Sequence, residues 1–96
     1  MTRAQNVDAL VVLAGQLGAV AAGTEWYLFG SMDREEEFCS DVDLLILCGT
    51  AAQADALRAA IDPDQLGRPI DLSLMTFEEE REISAVKLQA ARKIYP

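Results

Sequence analysis

Residues 29–43 read Phe29-Gly30-Ser31-Met32-Asp33-Arg34-Glu35-Glu36-Glu37-Phe38-Cys39-Ser40-Asp41-Val42-Asp43. A Gly-Ser turn leads into a densely acidic loop, and the loop leads into two aspartates spaced two apart. Taken alone, each part has an ordinary meaning: Gly-Ser is a turn, acidic loops are solvated, and Asp-x-Asp is most often an exposed strand end. The flanks change the weight of the whole. Glu25-Trp26-Tyr27-Leu28-Phe29 before it is rich in aromatic residues, and Val42 to Cys48 is nearly all apolar after Asp43, so the stretch joins two predicted strands.

Outward from these strands, three T-x-x-Q/E signals mark helix starts: Thr2 with Gln5, Thr50 with Gln53, and Thr76 with Glu79. In such a box the threonine hydroxyl and the side chain three residues later satisfy free backbone donors. The first helix carries Val7, Leu10, Val11, Ala14 and Leu17 as its apolar stripe, with Gly23 closing the segment. The second runs from about Thr50 to Ile61, with Ala54, Leu57 and Ile61 inward, and stops before Pro63. The third starts near Phe77 and uses Ile83, Val86, Ala90 and Ile94. A third strand over Pro69 to Met75 alternates Ile70, Leu72 and Leu74 against Asp71, Ser73 and Met75. The expected fold is α/β in the α+β sense, order α-β-β-α-β-α, with a three-stranded mixed sheet and helices packed on one face. Residues 1–96 read as one domain, without repeats or a linker.

Composition narrows the function classes. With 51% hydrophobic and 25% charged residues the chain has the profile of a soluble globule, and its longest apolar run reads as too short for a membrane. No export signal is recognisable, so the cytoplasm is the expected compartment. Cys39 and Cys48 lack metal-ligand spacing and there is no histidine, which disfavours a disulfide or zinc site; Cys48 reads as a small core residue. A net charge of −8 repels phosphate backbones, so no direct nucleic-acid binding is expected, while basic protein partners and divalent cations are favoured.

Residues two apart on a strand point the same way, so Asp41 and Asp43 project together, opposite Val42, Leu44 and Ile46. Asp71 points away from the apolar face of its own strand. If the two strands are neighbours, three carboxylates converge. Such a cluster resists joint ionisation unless a cation is present. Mg²⁺ takes oxygen ligands, typically one or two carboxylates plus phosphates and water, and suits phosphoryl displacement. Asp71 is then also a candidate proton acceptor. Gly30 permits close backbone approach, and a helical turn from Ser31 would aim N–H groups and a hydroxyl at an anion such as a triphosphate.

The combination resembles the nucleotidyltransferase domain of the DNA polymerase beta superfamily, most closely the minimal nucleotidyltransferase (MNT) family. Its residues are Tyr27-Leu28-Phe29-Gly30-Ser31, Arg34, Ser40-Asp41-Val42-Asp43-Leu44 and Arg68-Pro69-Ile70-Asp71-Leu72, covering about three quarters of the chain. The resemblance implies Mg²⁺-dependent transfer of a nucleoside monophosphate, usually AMP from ATP, with release of pyrophosphate. It implies Gly30 and Ser31 on the β/γ-phosphates, Asp41 and Asp43 as metal ligands, Asp71 as third ligand and base, and Arg34 on phosphate. Many small members of the family are antitoxins paired with a helical HEPN-type ribonuclease toxin, which they bind and can silence by attaching AMP to a tyrosine.

One departure stands out. Asp33 and Glu35 to Glu37 surround the arginine, and these acids either repel a triphosphate, marking an inactive copy, or form a solvated helix face. Leu45, Leu47 and Met75 beside the aspartates form an expected apolar patch, an interface for a partner or an oligomer unless strand twist or loops shield it. Three functions therefore stand open: a nucleotidyltransferase acting on a protein partner, an idle module that neutralises its partner by contact, and a transferase acting on a small molecule such as an antibiotic. Length disfavours the last, which ordinarily needs a second domain.

Overall fold

A computed structural model describes residues 2–34 and 41–96. Cys39, Ser40 and Glu35 to Glu37, named above, lie outside the described residues. Helix α1 (Arg3–Leu17) passes through a 3₁₀ turn (Gly18–Ala21) into strand β1 (Glu25–Phe29). A single helical turn α2 (Gly30–Asp33) precedes β2 (Val42–Cys48), which is followed by α3 (Ala51–Ala60), β3 (Ile70–Thr76), α4 (Phe77–Ile83), α5 (Ala85–Leu88) and β4 (Arg92–Tyr95). The sheet order is β3-β2-β1-β4, with β2–β3 parallel and the other two pairs antiparallel.

The threonine boxes act largely as their chemistry dictates. Thr2 and Thr76 cap α1 and α4 with both reciprocal bonds. At α3 only half of the box forms: Thr50 accepts from Gln53 N, but the Gln53 carboxamide turns away. It accepts from Gly49 N at 3.0 Å and donates to Val20 O and Ala22 O at 3.1 and 2.8 Å, which ties α3 to the turn before β1.

Helices α1 and α3 pack on the sheet face that carries Trp26, Leu28, Val42, Leu44 and Ile46, and with Leu10, Leu13, Ala14, Leu57 and Ile61 they form the core. On α1 the buried stripe runs through Leu13, whereas Val11, expected inside, stands 36% exposed. Cys48 is a buried free thiol, and burial pushes its pKa up. The stretch Arg3–Ala21 is long and apolar enough by length and composition to cross a membrane, which the reading of short apolar runs did not anticipate; in this fold Leu10, Leu13 and Ala14 from it are core residues.

Two expectations are corrected. Among the described residues the sheet has four strands, because the segment read as one amphipathic helix over Phe77 to Ile94 breaks into α4, α5 and β4. Ser84 ends α4 in the left-handed region at φ 57°, Glu80 Oε2 accepts from Val86 N to start α5, and Ala90 at φ 51° releases the chain. Strand β4 then pairs with the edge of β1 and sets Tyr95 edge-on to Trp26 at 5.9 Å. Pairing an otherwise open strand edge and burying an aromatic ring outweigh helical periodicity. Ile83, expected inside, is consequently 51% exposed.

The helices also do not keep to one face. Helix α4 touches β2 and β3, and Ala85 and Gln89 face Leu45, Ser73 and Met75 on the side opposite α1 and α3. Leu45 and Leu47 are 2% and 3% exposed, so the expected open apolar patch at these two residues is covered. Burial on both faces accounts for the continuous apolar run of β2.

Candidate active site

Strand register decides which acids meet. Phe29 pairs with Asp43 across β1–β2, and Asp43 pairs with Asp71 across β2–β3. The parallel β2–β3 pairing is the product of a return through α3, which carries the chain back to the same end of the sheet. Asp43 and Asp71 thus stand side by side on the face opposite the core, close enough to share a hydrogen bond. Asp41 lies just before β2, exposed, and its charge reaches Asp43. Asp71 is exposed and Asp43 half-buried.

Burial pushes the Asp43 carboxyl above its ordinary value; the Asp71 charge and hydrogen bond add to the shift, and Asp41 adds further. The Arg34 charge opposes it, which places the arginine within electrostatic reach of the pair. Burial and the neighbouring carboxylates outweigh that opposing charge, since the net shift is upward. Among the described residues no group of three His, Cys, Asp or Glu side chains is arranged to hold a metal ion, so Asp43 and Asp71 come together while Asp41 stands off from a three-ligand set. Two adjacent carboxylates whose joint ionisation is disfavoured nevertheless fit Mg²⁺, which draws its remaining ligands from water and phosphate.

Gly30 is built into the same contact. Its φ is +76°, and a Cβ there would overlap Asp43 Oδ2 and lie 2.9 Å from Asp43 Cγ. The space that a side chain would occupy is filled by the carboxylate itself, a different use of glycine from the ligand approach read in the sequence. Ser31 follows in the first turn of α2, where only its backbone is described. Arg34 N donates to Gly30 O at 3.1 Å, closing the turn.

Asp33, counted in the sequence among acids that repel phosphate or form a solvated face, does neither. It is 4% exposed and accepts from Arg3 Nε at 3.1 Å and from Arg92 Nε at 3.0 and 2.8 Å, while Arg92 Nη2 donates to its carbonyl at 2.6 Å. These bonds fasten α2 to the start of α1 and to β4. Arg3 and Arg92 were not singled out in the sequence, and no local signal could have done so, because they lie 30 and 59 residues from their partner.

Compared with protein-family models, curated proteins and solved structures, the chain finds no match.

Proposed function

We propose that this chain is a Mg²⁺-dependent nucleotidyltransferase with the minimal nucleotidyltransferase fold, moving AMP from ATP to a hydroxyl on a protein partner, and that it serves as the antitoxin of a HEPN-type ribonuclease toxin. The observation that supports this most is the in-register contact of Asp43 with Asp71 beside the Gly30 turn. Those residues come from three segments of the motif series, and they meet on one face at one end of the sheet.

In this reading Asp43 and Asp71, with Asp41 alongside, would hold Mg²⁺, which when bound offsets the charge of the phosphates. Asp71 takes the proton of the acceptor hydroxyl as its oxygen bonds to the α-phosphorus. The bond from that phosphorus to the bridging oxygen breaks and pyrophosphate leaves. Ser31 meets the β/γ-phosphates through the turn that Gly30 opens, and Arg34 contributes positive charge. The net charge of −8 is the reason the partner's acceptor, rather than free nucleic acid, is the expected substrate.

The test is incubation with ATP labelled at the α-phosphate, Mg²⁺ and the product of the adjacent open reading frame. Label on that partner, absent when Mg²⁺ is chelated, is the expected result. A tight complex that takes no label would replace this function with neutralisation by contact.

A further inference from the structure

The two edges of the sheet are defended unequally. Strand β4 is four residues long, carries Arg92 and Lys93, and meets β1 through an irregular register. Strand β3, at the opposite edge, runs for seven residues in unbroken register with β2, contains no proline or basic residue, and has Asp71 as its one charge. Short, basic or bulged edges resist pairing with another chain, and long regular ones invite it.

Alternation along β3 fixes which of its backbone groups face outward. Pro69 O accepts from Val42 N at 2.9 Å, so the next N–H, that of Ile70, points away from β2, and those of Leu72, Leu74 and Thr76 follow it. The chain itself satisfies the outer two. Ile70 N donates to Pro63 O at 2.7 Å, and Thr76 N donates to Glu79 Oε1 at 3.0 Å. Between them, Leu72 and Leu74 keep outward N–H and C=O groups that find no partner among the described residues.

We propose that a second copy of this chain pairs with this edge, antiparallel and about a two-fold axis at Ser73, an inference that does not depend on the nucleotidyltransferase reading. In that register Leu72 exchanges both backbone hydrogen bonds with Leu74 of the second copy, and Leu74 does the same with its Leu72, which satisfies all of these groups. A shift of two residues would set one leucine against Ile70 or Thr76, whose N–H is already taken. The side chains agree. Asp71 comes to lie opposite Met75 of the second copy, and the two Asp71 residues stand about 13 Å apart along the strands, beyond the screening length of about 8 Å. On the core side, Leu74 of the second copy lies beside half-buried Leu72, at a groove of about 210 Å³ that Arg58, Ile61, Pro63 and Ile70 also line.

Charge favours a second copy as the occupant. Strand β3 starts at a basic end, with Arg68 just before it and Arg58 at the groove, and finishes at an acidic one, where Glu78, Glu79 and Glu80 open α4. Antiparallel pairing sets the basic end of each copy beside the acidic end of the other, which offsets part of the repulsion between two chains of net charge −8.

Sedimentation equilibrium of the whole chain over a micromolar-to-millimolar series, with amide hydrogen exchange at each concentration, tests this. The wild type is expected to form a dimer, and the Leu72 and Leu74 amides to gain roughly tenfold protection as it forms. Ser73 is exposed, so substituting it leaves the core alone. Ser73→Glu and Ser73→Lys each set like charges face to face at the axis and are expected to be monomeric, with α1 amides protected as in the wild type, which reports that each is folded. An equimolar mixture of the two is expected to recover the dimer. A wild type that stays monomeric overturns the proposal. So do a dimer whose Leu72 and Leu74 amides exchange as in the monomer, single variants that still dimerise, and a mixture that does not. Protection of these amides that appears only on adding the product of the adjacent open reading frame also overturns it, and assigns the edge to that protein.

Discussion

Turn α2 has an acid problem at each end, and the two are solved in opposite ways. At its far end Asp33 is almost completely buried, yet Arg3 and Arg92 surround it with charge-assisted hydrogen bonds. At its near end Gly30 abuts Asp43, which faces Asp71, and the Arg34 charge acting against the accumulated negative charge does not reverse the upward shift. A carboxylate used for architecture brings its cations from within the chain. A carboxylate left beside another carboxylate is pushed above its ordinary pKa, and under the proposed function an external Mg²⁺ would relieve it.

The largest test of this contrast is Asp43→Asn. Nucleotide transfer to the partner should fall about a thousandfold, equivalent to roughly 4 kcal/mol of transition-state stabilisation, while circular dichroism stays unchanged. Transfer at the wild-type rate would remove the carboxylate pair from the chemistry. Next in size, Arg92→Ala leaves Asp33 short of its main partner and should lower unfolding stability by about 3 kcal/mol in urea melts. A loss well below about 1 kcal/mol would mean that Arg3 and solvent suffice, and that the two ends of α2 differ less than their geometry suggests.

Gly30→Ala should cost about 2 kcal/mol, from the left-handed backbone and from overlap with the Asp43 carboxylate. Asp43→Ala removes the overlap but not the backbone strain, so the glycine substitution should cost less in that background; full additivity in the double-mutant cycle would detach Gly30 from Asp43. The smallest effect is one of pH. Because the folded-state pKa of Asp43 is raised, the folded chain holds this proton to higher pH than the unfolded chain does, and the contribution of Asp43 to stability falls as pH rises through that folded value. Asp43→Asn should therefore be the more stable protein at neutral pH, with the gap closing as pH drops toward about 4, the ordinary carboxylate range. A gap that is flat with pH would show that the carboxyls do not press on each other.

Much of the frame could be read from local pattern. The threonine boxes, the apolar alternation of Ile70, Leu72 and Leu74 and the uninterrupted apolar run of β2 each name an element through interactions within a few residues. Strand periodicity also placed Asp41, Asp43 and Asp71 on the face away from the core helices, conditional on β2 and β3 being neighbours, and they are. The errors share one origin. Ile83, Val86, Ala90 and Ile94 satisfy helical spacing, but the free edge of β1 and the Trp26 ring compete for the same residues from nearly seventy positions away. Leu45 and Leu47 looked open because the cover for them comes from the pieces of that broken helix.

By itself, then, the sequence determined what its short-range chemistry controls: where helices start, which strand residues share a face, and which acids point away from the core. Tertiary structure alone decided the fourth strand, the covering of the second face, and above all the separate fates of Asp33 and Asp43. Those two residues belong to one stretch, Asp33 among further acids and Asp43 at the head of an apolar strand, and neither setting names the charges that meet it. What distinguishes them is the set of charges folded against each, and electrostatic energy depends on distance in space, which spacing along the chain does not reveal.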